Sequence, residues 1–102
     1  MKIGSAVANA LSGISSAARV RNTTSHNVAN LLTEDFRPLR SHQIERQGGG
    51  SEVLNERAEQ PEPVDLAAEF VRSDVASIQA KASLRLIDAE LDLTGELIDI
   101  LA

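Results

Sequence analysis

Between Leu66 and Leu101 the chain carries two apolar stripes at helical spacing, and they fall on opposite faces. The first follows Leu66, Phe70, Ser73, Ser77, Ala80, Leu84, Ile87, Leu91, Thr94, Ile98 and Leu101. The second follows Val75, Ile78, Ala82, Leu86, Ala89, Leu93, Leu97 and Ile100. At about 100° per residue, Leu91 and Leu93 point roughly 200° apart. Pro61 and Pro63 bound the run, Asp65 is placed to cap it, and Glu69 suits the positive end of its dipole. A helix of this span is roughly 54 Å long. An apolar face on each side needs a wall on each side, and that requirement constrains every later step.

The remaining chain supplies one such wall. Val7, Leu11, Ile14 and Ala18 recur at four-three-four spacing, and the register returns at Ser25, Val28 and Leu32 with Arg21 between. The spacing predicts a helix from about Ile3 to Leu32, roughly 45 Å long. It is rich in Ala, Ser, Thr and Asn, so its intrinsic propensity is modest and it needs partners. The connecting residues 34–63 alternate weakly at Ser41–Arg46 and Glu52–Ala58, around Gly48-Gly49-Gly50. That pattern fits a short β-hairpin or an irregular connection, and it is too polar to be the second wall. The expected fold is therefore mainly α. Two long terminal helices, in segments 1–33 and 64–102, pack as an antiparallel, coiled-coil-like hairpin around a short connector at 34–63. A buried helix in a compact bundle is the alternative, but it lacks a partner surface; self-association covers the second face better.

At 102 residues the chain is one small domain. Ile, Leu, Val and Phe make up 28 residues, too many for a chain disordered by composition. There is no cysteine, which excludes disulfides and thiolate metal sites. A net charge of −5 with 2% aromatic residues argues against nucleic-acid binding. The charge is segregated: residues 1–33 hold Lys2, Arg19 and Arg21 without an acid, whereas residues 64–102 hold eight acids and three bases. Such complementary ends favour contact between them, or between neighbouring copies.

No apolar run reaches the length of a membrane span. The opening Met1–Ile14 resembles a weak secretory leader, yet Asn9, Ser12 and Gly13 interrupt it and its apolar spacing continues, so it reads as mature structure. A surface-active membrane helix is disfavoured by the acidic C-terminal segment. His26 and His42 are the only histidines, and no acid is placed in sequence to orient either imidazole. Asp88, Glu90, Asp92, Glu96 and Asp99 follow no metal-loop spacing. The triple glycine lacks the Gly-Lys-Ser/Thr of a phosphate loop. No catalytic residue, cofactor, metal or small-molecule substrate is expected.

The stretch Ser25-His26-Asn27-Val28-Ala29-Asn30-Leu31-Leu32-Thr33-Glu34-Asp35-Phe36-Arg37 resembles the N-terminal motif of bacterial flagellar rod and hook proteins. That motif is Asn-Ile/Val-Ala-Asn, two variable residues, Thr, one variable residue, Gly, an aromatic and a basic residue. It follows a Ser-Gly-Leu/Ile step, here Ser12-Gly13-Ile14. Val64–Val71 and Gly95–Leu101 are similar to the start and end of the family's C-terminal helix. Asp35 stands where the family has Gly, Ala80 and Ser83 stand where it has an aromatic and Asn, and the centre is shorter than in most members.

The resemblance implies a non-enzymatic structural subunit of the flagellar basal-body rod, built by helix–helix packing. It also implies export by the flagellar type III apparatus without a cleaved leader, residence in the cell envelope, and partners among its own copies and other axial proteins. A non-polymerising adaptor that binds axial or export proteins is the alternative. On either reading Leu84, Leu86, Leu91, Leu93, Leu97 and Ile98 are the expected packing residues. Asn27, Asn30, Thr33 and Phe36 are the expected helix-end motif, with both asparagines bonding to backbone in the last turns and Phe36 anchoring the turn against a helix.

Overall fold

The computed structural model describes residues 3–101, so Met1, Lys2 and Ala102 of the expected terminal segments, and the charge on Lys2, lie outside it. Four elements follow in order: α1 (Ile3–Ala29), β1 (Leu39–Glu45), β2 (Ser51–Arg57) and α2 (Leu66–Leu101). The helices pack against each other, and the strands form an antiparallel hairpin between them in sequence. Gln79 Nε2 donates to Gly13 O and Asn27 Nδ2 to Glu69 Oε1, so α2 runs back along α1. The molecule measures 64 × 25 × 13 Å, with a radius of gyration of 17.8 Å against about 13 Å for a compact chain of this size.

The helix seam is where the sequence reading needs correction. On α1 the row turned to α2 is Ala6, Ala10, Gly13, Ala17, Val20, Thr24 and Asn27, one residue out of step with the Val7–Leu32 stripe. On α2 the matching row is Glu69, Ser73, Ala76, Ala80, Ser83, Ile87, Glu90 and Thr94. Both rows alternate steps of four and three, the 3.5-residue period of a left-handed coiled coil. The seam is made of small and polar side chains, and the large aliphatic residues flank it. The physical reason is separation: Ala, Gly and Ser let two backbones approach closely, whereas facing leucines hold them apart. At Gly13 the approach is close, since an added Cβ would lie 2.6 Å from Ser83 Oγ.

The hairpin lies on the next face of α1. Its register pairs Gln43 with Val53 and Ser41 with Asn55, which alternates one inward and one outward row. The inward row is held by polar contacts: Ser16 and Ser51 hydroxyls at 2.9 Å, Thr23 Oγ1 donating to Asn55 Oδ1 at 3.2 Å, and Ser51 N donating to Ser12 Oγ at 3.1 Å. Val53 is the buried apolar residue of the hairpin. Gly48, Gly49 and Gly50 all have positive φ, and Gly49 and Gly50 press on Asn9 and Ser12 so closely that a Cβ would collide. Triple glycine is thus a turn fitted against α1.

Asp65 Oδ1 accepts from Ala68 N at 3.1 Å and caps α2. Beyond the start of α1, α2 has no facing helix. Carried on from Gly13 and Ser83, the one-for-one pairing puts Gly4 level with Asp92, so the last two turns of α2 project alone.

Candidate functional site

α1 ends at Ala29, earlier than the expected Leu32, because Asn30 folds back on it. Asn30 Nδ2 donates to His26 O at 2.9 Å, and Thr33 Oγ1 donates to Asn30 Oδ1 at 3.0 Å. Successive three-residue bonds, Asn30 N to Asn27 O and Leu31 N to Val28 O, close the end and pair carbonyls that the helix leaves open. The chain then reverses through Asp35, whose φ of 54° is the left-handed conformation that Asp accepts better than most residues. Phe36 is half-buried, its ring 5.8 Å from that of His26 and 6.0 Å from the Arg57 guanidinium.

Asn27 has a different role from the expected one. It makes no side-chain bond to its own helix end. Its amide is buried, donating to Leu39 O and accepting from Leu39 N, each at 2.9 Å. The side chain thereby imitates a strand neighbour and ties β1 to α1. The same Nδ2 donates to Glu69 Oε1 at 3.1 Å, and Arg72 Nη1 donates to that oxygen at 2.8 Å. One amide therefore joins the end of α1, the start of β1 and the first turns of α2. Glu69 is 1% exposed, and its Oε2 is buried without a hydrogen-bond partner. Sequence reasoning assigned Glu69 only to the helix dipole; 42 residues separate it from Asn27, and no local pattern links them.

The six expected packing residues are all on the surface. Leu84, Leu86, Leu91, Leu93, Leu97 and Ile98 are between 46% and 60% exposed. Phe70, Val71, Val75 and Ile78 continue the apolar surface toward the joint, and Ile100 and Leu101 extend it to the tip. The buried apolar side chains are instead Ala6, Ala10, Ala17, Val53 and Ala76. Leu84, Leu91 and Ile98 share a row with Phe70, which lines a cleft with Ser25 and Val28 on the side away from the hairpin. Leu86 and Leu93 share the opposite flank with Gln79, whose amide meets Gln43 of β1.

His42 Nε2 is 3.8 Å from Glu56 on the outward face of the hairpin, and the His26 ring lies tilted against Phe36 at the joint. Among the described residues no group of histidine and carboxylate side chains is arranged to hold a metal ion, and no helix is long and apolar enough to cross a membrane. The clefts are open and shallow, so the feature the arrangement offers is a long apolar surface braced at one end by a polar joint. Compared with protein-family models and with curated proteins, the chain matches neither.

Proposed function

We propose that the protein is a structural subunit of the flagellar basal-body rod, which assembles through helix–helix packing into a helical axial structure. One observation carries the assembly part: the large aliphatic side chains of α2 lie outside the seam, on the surface of the isolated chain. Their exposure fits a surface meant to be covered by protein. Its extent fits too. A compact protein of 10.9 kDa exposes about 5,600 Å², and this chain exposes 7291 Å². The difference, about 1,700 Å², equals roughly two standard interface patches of ~800 Å² each. The flagellar part rests on the Asn27–Arg37 motif and the two terminal stretches of α2. In this reading the joint sets the angle at which chain leaves α1, the helices build the axial core, and the partners are other copies and other rod proteins in the cell envelope.

The test is sedimentation velocity across a wide concentration range, with electron microscopy of the concentrated sample. Wild-type chain is expected to form open-ended assemblies. Leu86→Glu/Leu93→Glu/Leu97→Glu, which alters surface positions only, is expected to keep its helicity and sediment as a monomer. A wild-type chain that stays a monomer throughout refutes assembly, and a small closed oligomer transfers the reading to the adaptor class.

A further inference from the structure

The charges of the two helices are complementary, yet among the described residues no ion pair joins one helix to the other. Asp92, Glu96 and Asp99 form an exposed row on the back of α2, at four-three spacing, bordered by Leu93 and Ile100. No base follows Arg85 in α2. Arg21 is exposed on the row of α1 that flanks the seam, between Ala18 and Ser25, and no acid occurs between residues 3 and 33. Among the described residues the ion pairs are Arg40–Glu62 and Arg72–Glu69, and His42 approaches Glu56, so neither Arg21 nor the acidic row is paired.

The antiparallel register explains why. Gly13 faces Ser83 and Asn27 faces Glu69, which puts Arg21 level with Val75. Asp92 lies 17 residues further along α2, about 25 Å away at 1.5 Å per residue. Within one rigid chain the two charges never come together. We infer that the acidic row of one copy, with Leu93 and Ile100 beside it, docks on the Arg21 face of a second copy displaced by about 25 Å along the helix axis. The inference rests on the self-assembly reading above and specifies its contact.

Each copy carries both halves of this contact on different surfaces, so it is heterologous and repeats without closing. The excess exposed area accommodates two patches per chain, one given and one received. Small neighbours, Ala18 and Ser25, leave Arg21 accessible between the apolar positions of its row. Attraction between desolvating opposite charges also fixes the register, because a slipped neighbour would leave them apart.

Charge reversal tests it. Arg21→Glu is expected to weaken self-association at least tenfold by sedimentation, with an unchanged circular dichroism spectrum. Adding Asp92→Arg and Glu96→Arg to that chain is expected to restore it. Because the protein has no cysteine, Ala18→Cys and Gly95→Cys introduce unique thiols one turn from Arg21 and inside the acidic segment. Oxidising the doubly substituted chain is expected to give a covalent ladder. If Arg21→Glu associates like wild type, or only covalent dimers form, the inference is overturned while self-assembly stands. If wild type does not associate at all, the assembly reading fails first.

Discussion

The two ends of the helix pair are built on opposite principles. At the joint, buried Asn27 and Glu69 bond to the Leu39 peptide groups and to the half-exposed Arg72, a polar network that joins three elements. At the tip, Leu97, Ile98, Ile100 and Leu101 are exposed apolar residues with no element of the chain over them. In the joint, removing Asn27 or Glu69 strands the other in a buried position, so it resists local change. The tip gains nothing from the rest of the fold and is free to match an outside surface. The comparison teaches that one end of the molecule is braced by its own fold and the other is left open, so on the proposed reading stability and association fall to different ends.

The largest expected effect breaks the joint. Asn27→Ala leaves the Leu39 peptide groups unpaired and Glu69 with Arg72 alone, and it is expected to cost about 3 kcal/mol in urea unfolding. A loss under about 1 kcal/mol would mean that the network adds little. Next, Gly13→Leu forces a large side chain against Ser83 in the seam, at an expected cost of about 2 kcal/mol. A matching gain from Ser83→Gly in the same chain would localise the clash.

Asp35→Gly relieves the left-handed residue after α1 and is expected to stabilise by about 0.5 kcal/mol, read as a higher melting temperature. Destabilisation instead would show that the Asp side chain holds the turn. The smallest effect is expected at the other end: Leu97→Ala should change dilute-solution stability by less than about 0.5 kcal/mol while weakening association. Amide exchange would sharpen the contrast, with residues 95–101 exchanging faster than residues 66–76 at low concentration. Equal protection at both ends would remove the distinction.

Much of the fold was legible because it is written in short-range pattern. Pro61, Pro63 and Asp65 mark the start of α2, and Asp65 does cap it. Triple glycine marked the centre of the connector, and the structure makes it a hairpin turn. The seam was legible only in part: Ser73, Ala80, Ile87 and Thr94 lie on the first stripe of α2, whereas the α1 row and Glu69, Ala76, Ser83 and Glu90 do not follow the predicted stripes. Apart from Val20 and Ile87 its rows hold Ala, Gly, Ser, Thr, Asn and Glu, which carry little hydropathy, so the periodicity of larger residues points to the flanks. Glu69 was missed for a related reason: its burial depends on Asn27 and Arg72 standing beside it, which helical pattern does not record. Asn30 could be read as a helix-end residue from its place before Thr33, whereas Asn27 looks the same in sequence and does a different job.

By itself the sequence determined two long helices, a turn at the triple glycine, an end to the first helix near Leu32, and an excess of apolar surface over what one partner helix can cover. Those follow from local propensity, turn chemistry and counting, which act over a few residues. The tertiary structure decided which face of each helix is inside. It chose the small-residue seam because close backbone approach and buried polar bonds together outcompete the packing of bulkier side chains. That choice turned Leu84, Leu86, Leu91, Leu93, Leu97 and Ile98 outward, and made the missing wall of the sequence an open surface of the molecule.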